Sequence, residues 1–172
     1  VTAIVGDDCD AIVDATSVNG VSYDNCTTGD NLLFEIGRDT MNMGADLTVT
    51  MDDLANSPIT VYLRVTDEAG NTSICSAEIN VEDETPPSFD CDLIADLTVN
   101  TEIGACYGIV PDFTNAVMGP MDNCTDMDDQ FTITQEPLAG SLFGSQPGDI
   151  VMVEITIADL DGNAITCSKT VT

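Results

Sequence analysis

The fold is decided by a stretch that joins two strand-like segments through a tight turn, Thr66-Asp67-Glu68-Ala69-Gly70-Asn71-Thr72-Ser73-Ile74-Cys75-Ser76. The same pattern recurs later as Ala158-Asp159-Leu160-Asp161-Gly162-Asn163-Ala164-Ile165-Thr166-Cys167-Ser168. Two further matches keep the same order, Tyr23–Thr27 with Met121–Thr125 and Cys9–Val13 with Cys106–Val110. The chain is therefore a tandem repeat with a period of roughly 92–98 residues.

Polar and apolar residues alternate on both sides of these turns, as is typical of β-strands. The alternation predicts strands over 47–51, 59–65 and 77–81 in repeat one and over 97–101, 106–110, 130–135 and 150–157 in repeat two. About seven short strands in a repeat of this length indicate an immunoglobulin-like sandwich. The predicted fold is therefore all-β, with two tandem immunoglobulin-like β-sandwiches.

A short acidic linker with two prolines separates the repeats, Glu82-Asp83-Glu84-Thr85-Pro86-Pro87. Proline cannot continue a central strand, so this segment marks a boundary. We expect repeat one over 1–81, the linker over 82–87 and repeat two over 88–172. In this register repeat one is truncated at its amino end, and repeat two lacks its carboxyl-terminal linker.

The charge excludes several classes of function. The 172 residues contain 3 Lys and Arg, 31 Asp and Glu and no His, which gives a net charge of −28. We expect nucleic acid and anionic membrane surfaces to be repelled. Mechanisms that use imidazole are excluded, and no apolar run approaches the ~18 residues of a membrane span. We expect neither enzymatic activity nor membrane insertion.

The cysteines suggest a disulfide framework that is repeated twice. Repeat two contains Cys91, Cys106, Cys124 and Cys167, whereas repeat one contains Cys9, Cys26 and Cys75. The counterpart of Cys91 would fall before Val1, so we expect one cysteine of repeat one to pair outside this window. Four cysteines allow three pairings, and counting alone does not choose among them. Persistent disulfides predict an extracellular location, and reduced cytosolic thiols are the alternative.

The order of these features resembles that of the hyalin repeat (HYR) domain. The resemblance rests on the Pro-Pro linker, the four cysteine positions, the Asp-Asn-Cys motif and the Asp-x-x-Gly-Asn turn. Asp92 departs from it, because family members commonly carry proline directly after the first cysteine. The resemblance implies an immunoglobulin-like fold and an adhesive or architectural role outside the cell. Tandem acidic copies are similar to those of large Bacteroidetes-type bacterial cell-surface adhesins.

The resemblance also implies which cysteines pair, namely the first with the last and the second with the third. In this numbering the implied disulfides are Cys9–Cys26, Cys106–Cys124 and Cys91–Cys167. Cys75 is expected to bond to a cysteine that lies outside this sequence.

Calcium is the cofactor that the acidic segments predict. In an immunoglobulin-like sandwich the chain begins at the end that carries the B–C and F–G loops, so the linker and both loops are expected to meet there. Oxygen-rich sites without imidazole suit Ca²⁺, which takes 6–8 oxygen ligands. The alternative is that these side chains only form turns on an acidic surface. The candidate ligands are Glu82, Asp83, Glu84, Asp122, Asn123, Asp126, Asp159, Asp161 and Asn163.

The predicted function is that of a structural or adhesive segment of a long extracellular or cell-surface protein. Disulfides and calcium would stiffen this stalk or filament, and its partners would be neighbouring repeats, surface glycans or surface proteins. The alternative is an extracellular accessory module that binds a carbohydrate or protein ligand. An aromatic content of 5% without Trp disfavours a sugar-binding platform.

Overall fold

A computed structural model describes residues 1–101, 104, 106–125 and 130–172. The chain divides into two compact units, Val1–Glu84 and Thr85–Thr172. This boundary falls inside the predicted linker, although the last strand of unit 1 continues through Glu82 and Asp83. The expected all-β architecture is confirmed, since strands account for most of the regular structure among the described residues. No helix among them is long and apolar enough to cross a bilayer.

Unit 1 consists of two sheets that enclose an aliphatic core. Its regular elements are β1 (Thr2–Val5), β2 (Asp10–Asp14), β3 (Leu33–Gly37), β4 (Asp46–Thr50), α1 (Met51–Leu54), β5 (Ile59–Thr66) and β6 (Thr72–Asp83). One sheet has the order β1-β6-β5-β3 and the other pairs β2 with β4. Strand β1 runs parallel to β6, and the other pairs are antiparallel. Val49, Val61 and Ile79 are fully buried, because strand alternation turns every second residue inward.

Unit 2 repeats this arrangement. Its strands are β7 (Gly108–Ile109), β8 (Thr132–Glu136), β9 (Leu142–Phe143), β10 (Val151–Ala158) and β11 (Ala164–Val171). One sheet has the order β11-β10-β8 and the other pairs β7 with β9. Leu97 pairs in parallel with Val171, as β1 pairs with β6 in unit 1. The core contains Ile94, Val110, Phe113, Val117, Val153, Ile155, Ile157, Cys167 and Val171.

The repeated stretch forms the same hairpin in both units. Thr66 opposes Thr72 in unit 1, and Ala158 opposes Ala164 in unit 2. The glycine of each turn has positive φ, 88° at Gly70 and 93° at Gly162, a backbone conformation that other residues adopt at a cost. The predicted strand–turn–strand motif is therefore confirmed.

One predicted disulfide is present. Cys91 is bonded to Cys167 with a Cα–Cα distance of 5.5 Å, across 76 residues of sequence. The bond ties the segment at the start of unit 2 to β11. Cys75, the counterpart of Cys167, has a free and exposed thiol, so its predicted bond to a cysteine outside the window stays a prediction.

The other two predicted disulfides, Cys9–Cys26 and Cys106–Cys124, are wrong. Cys26 and Cys106 have free, exposed thiols, whereas Cys9 and Cys124 are both disulfide-bonded. Cys9 and Cys124 are 4% and 6% exposed. Each predicted pair joins a free, exposed thiol to a buried, bonded cysteine, and sequence spacing does not reveal which sulfurs the fold brings within bonding distance.

Both arginines bind carboxylates inside unit 1. Arg38 forms a two-pronged contact with Asp53, with Nη2–Oδ2 at 2.6 Å, and Arg64 binds Glu35 at 2.7 Å. Asp53 also accepts a hydrogen bond from the Thr50 amide at the start of α1. Burial opposes the ionisation of Asp53, but these donors outweigh it and lower its pKa below the ordinary value.

Candidate metal centre

The first carboxylate of the site, that of Asp159, is held by the turn between β10 and β11. Its Oδ1 accepts hydrogen bonds from the amides of Gly162 at 2.7 Å and Asn163 at 2.9 Å. Its Oδ2 accepts one from Asn163 Nδ2 at 3.0 Å. Asp159 is only 4% exposed. The turn therefore fixes a buried, charged side chain in one orientation.

The second carboxylate is that of Asp122, in the loop that precedes β8. Its Oδ2 accepts a hydrogen bond from the Cys124 amide at 3.0 Å. Its Oδ1 is buried and has no hydrogen-bond partner among the described residues. An ionised oxygen that is buried without a donor is costly, which makes this atom the best candidate for a cation ligand.

The first residues of unit 2 run beside this loop. The Ser88 amide donates to the Met121 carbonyl at 2.7 Å, and the Met121 amide donates back to Ser88 at 3.0 Å. The Ser88 hydroxyl donates to the same carbonyl at 3.1 Å. The chain thus begins unit 2 next to Asp122, as predicted for the end that carries this loop.

Asp122 and Asp159 present carboxylate oxygens within 4.8 Å of each other. At an effective dielectric constant of ~20, two unit charges at this distance repel by about 3 kcal/mol. Lys169 is the one cationic side chain of the unit's sequence, and it lies five residues along β11 from Ala164. At about 3.3 Å per residue, that places it roughly 16 Å from the turn. No basic side chain of unit 2 therefore neutralises the pair.

The structure separates the remaining predicted ligands by burial. Asn163 and Asn123 are both half-buried. Asn163 Nδ2 donates to Asp159 Oδ2, and Asn123 Nδ2 donates to Cys124 Sγ. Asp161 is exposed in the turn.

The predicted ligands of the linker also differ from one another. Asp83 is 5% exposed at the end of β6 in unit 1, while Glu82 and Glu84 are exposed. Asp126 lies outside the described residues.

Unit 1 contains a counterpart of the Asp122–Asp159 pair. Asp24 Oδ1 accepts from the amides of Cys26 at 2.9 Å and Thr27 at 2.7 Å. Asp67 accepts from the side chain of Asn71 at 2.6 Å and from its backbone at 2.7 Å. These hydrogen bonds lower the pKa of Asp67, and the nearby negative charge of Asp24 opposes the shift. Each repeat thus brings its two loop aspartates together.

The sequence predicts nine ligands of equal rank, and it carries no signal for the hydrogen bonds between Ser88 and Met121 that place the start of unit 2 beside Asp122. A usable signal for ranking was present in the repeat itself. Asp122 and Asp159 have aspartates at the matching positions of repeat one, Asp24 and Asp67. Asp161 instead matches an alanine. The positions that carry aspartate in both repeats are those that the structure brings together in each unit.

No family model matches the chain, and no curated protein sequence matches it. Among solved structures, the human desmocollin-1 ectodomain is similar with a TM-score of 0.33 at 13% identity over 99% of this chain. The chain spans about a third of that chain's length, 35%.

Proposed function

We propose that the protein is a structural or adhesive segment of an extracellular surface protein, built from two immunoglobulin-like sandwiches and without catalytic activity. The topology supports the immunoglobulin-like part of this proposal, because each unit has a larger sheet and a two-stranded sheet around buried apolar residues. The Cys91–Cys167 disulfide supports an oxidising location. The net charge of −28 keeps such a surface soluble and disfavours lateral association.

We further propose that unit 2 binds calcium through Asp122 and Asp159. The observation that carries this proposal is the buried Oδ1 of Asp122, which accepts no hydrogen bond from the described residues and lies within reach of a second carboxylate. Each carboxylate oxygen has about two acceptor sites, so Asp159 can bind a cation while it caps its turn. A hard divalent cation would replace the repulsion of the pair with attraction.

Two side-chain amides of unit 2 supply the remaining proposed ligands. Side-chain oxygens of the half-buried Asn123 and Asn163 complete a donor set that is made of oxygen alone. Calcium bound by these groups would hold the loop of Asp122 and the β10–β11 turn together and so stiffen that end of unit 2.

Isothermal titration with Ca²⁺ and with Mg²⁺ tests the site. The full chain is expected to bind Ca²⁺ in preference to Mg²⁺, because a flexible, carboxylate-rich oxygen set suits the larger ion. Asp159→Asn is expected to weaken binding by about tenfold or more. Glu154→Gln is the matched control, since Glu154 is exposed on β10 and its loss removes one charge without touching the site.

Equal weakening by both variants would show diffuse counterion binding and would contradict the site. The stalk role has a separate test, because electron micrographs of the parent protein should show an extended array rather than a compact particle.

A further inference from the structure

Two strand edges of unit 1 border one open groove of about 340 Å³. Strand β1 is an outer strand of the larger sheet, and β2 belongs to the two-stranded sheet. Among the described residues, β1 pairs only with β6 and β2 pairs only with β4. Each strand therefore has one edge without a strand partner in the described chain.

The backbone of β1 has hydrogen-bonding groups to offer at its open edge. The Val1 carbonyl points toward β6, since it accepts from the Asn80 amide at 2.8 Å. Successive residues of a strand direct their backbone groups to opposite sides, so those of Thr2 and Ile4 point away from β6. Charged residues and proline usually keep an edge from pairing, and Thr2–Val5 contains neither. This edge can therefore accept a further strand.

The side chains that line the groove are mainly apolar. Ala3 and Val13 are 7% and 5% exposed and belong to the core behind the groove. Ile4 and Ile12 also line it, and they are 51% and 74% exposed. Exposed aliphatic side chains beside unpaired strand edges are typical of a surface that binds an extended polypeptide.

Unit 2 has a much smaller groove at the matching place. Gly108 matches Ala11 in the repeat, and the groove beside Gly108 has a volume of about 60 Å³. Phe143 packs so closely on Gly108 that a Cβ atom there would lie 2.7 Å from the ring. The open form of the groove is therefore a property of unit 1.

Carboxylates flank both exposed isoleucines. Ile12 stands between Asp10 and Asp14 on the outer face of β2, because alternate residues of a strand share a face. Ile4 is paired with the exposed Glu82 across β1 and β6. The rim of the groove is therefore acidic.

Both basic side chains of unit 1 are bound to other carboxylates. Arg38 contacts Asp53, and Arg64 contacts Glu35. A second copy of this chain is a poor occupant of the groove, since each copy has a net charge of −28 and the two would repel. The complementary occupant is basic.

We propose that the groove between β1 and β2 binds an extended segment of a basic partner protein, in which aliphatic residues alternate with Lys or Arg. The segment adds to the open edge of β1 through backbone hydrogen bonds. Its aliphatic side chains pack on Ile4 and Ile12, and its basic side chains bind the carboxylates at the rim. The proposal depends neither on calcium binding nor on the stalk role.

A capped heptapeptide, Lys-Val-Lys-Val-Lys-Val-Lys, tests the proposal on the full, unaltered chain. Heteronuclear NMR at about 150 mM salt, where diffuse attraction is screened, should show shifts at the amides of Thr2, Ile4 and Ile12. The amide of Gly108 should not move. Shifts spread evenly over the acidic surface would show diffuse charge attraction and would overturn the proposal.

Two matched peptides test the added strand without any change to the protein. Both keep the side chains and charge of the heptapeptide, and they carry N-methyl groups on the lysines in one and on the valines in the other. Only one of these sets of amides faces β1, so one peptide should bind about tenfold more weakly than the other. Equal affinity of the two would contradict strand addition.

A pair of variants tests the apolar contact. Ile12→Ser should weaken binding of the heptapeptide by about tenfold, because an exposed aliphatic side chain no longer becomes buried. Leu33→Ser is the matched control, since Leu33 is 57% exposed on β3 at the opposite edge of the larger sheet. Equal weakening by both variants would overturn the proposal.

The charge of the rim is tested by removing two carboxylates together. Asp10→Asn with Asp14→Asn should weaken binding by about fivefold, and asparagine at 14 still accepts from the Thr16 amide. Glu136→Gln with Glu154→Gln removes two exposed charges from unit 2 and should leave affinity nearly unchanged. Sedimentation without peptide checks the other occupant, because a dimer with contacts at β1 would assign the groove to a second copy and overturn the proposal.

Discussion

Replacing Asp122 by asparagine should stabilise unit 2 without calcium and destabilise it with calcium. Asparagine keeps an acceptor for the Cys124 amide, which Asp122 Oδ2 now binds at 3.0 Å. It removes one of two charges whose oxygens lie within 4.8 Å of each other. It can also donate from Nδ2 toward Asp159. In chelator the substitution therefore removes repulsion at little cost in hydrogen bonds.

The magnitude follows from the geometry. The pair repels by about 3 kcal/mol at an effective dielectric constant of ~20. Asp122 is half-buried, so solvent screening reduces the expected gain to about 1–2 kcal/mol. For a domain of this size, that corresponds to a rise in Tm of about 5–15 °C. Calcium at 100 times its Kd stabilises the native wild-type site by about 2.7 kcal/mol. With calcium the variant should therefore be less stable than wild type by about 1 kcal/mol.

Scanning calorimetry of the full chain in EGTA and in calcium measures both effects. Glu154→Gln is the control, because it removes an exposed charge opposite Glu136 and should shift Tm slightly and in the same direction under both conditions. A change of sign between EGTA and calcium is the expected signature for Asp122→Asn. If Asp122→Asn lowers Tm equally under both conditions, the carboxylate serves only its turn, and the reasoning about the pair is refuted.

Three further predictions concern the scaffold. Replacing Cys91 and Cys167 together by serine should lower the free energy of unfolding of unit 2 by about 4 kcal/mol in urea titrations, because the bond spans 76 residues. Asp53→Asn should cost unit 1 about 1–2 kcal/mol by leaving Arg38 without its two-pronged partner. The fold lowers the pKa of Asp53, so its ionised carboxylate stabilises unit 1 above the unfolded pKa of about 4, and this stabilisation is lost as pH falls through the folded pKa. The free energy of unfolding of Asp53→Asn should therefore depend less on pH in the acid range than that of wild type. Gly162→Ala should destabilise unit 2 by about 1 kcal/mol in calorimetry, because φ is 93° there and no atom lies near the added methyl group.

The hairpins could be predicted because their causes are local. Alternation over 59–65 and 150–157 agrees with β5 and β10, and glycine in each turn agrees with the positive φ at Gly70 and Gly162. The single helical turn of α1 was not predicted. It depends on a reciprocal cap between Thr50 and Asp53, and on the contact of Asp53 with Arg38 from a different strand.

The pairing of cysteines could not be predicted from their order. Cys26 and Cys124 occupy matching positions in the repeat, yet Cys26 is exposed and free while Cys124 is buried and bonded. Spacing along the chain is the same for both, so the difference arises from what surrounds each sulfur in three dimensions. The family resemblance led to one correct pair, Cys91–Cys167.

The sequence by itself determined that this chain is an acidic, twice-repeated β protein with oxygen ligands and no imidazole, since composition, alternation and turn residues are local properties. Only the tertiary structure decided which carboxylates matter. Asp122 and Asp159 are 37 positions apart in the sequence, yet the fold brings their carboxylates within 4.8 Å of each other. Asp159 lies in the β10–β11 turn, and Asp122 follows Met121, which is hydrogen-bonded to Ser88 at the start of unit 2. Only the fold leaves Cys26 free and exposed while Cys124, at the matching position, is buried and bonded, because that difference depends on the surroundings of each sulfur in three dimensions.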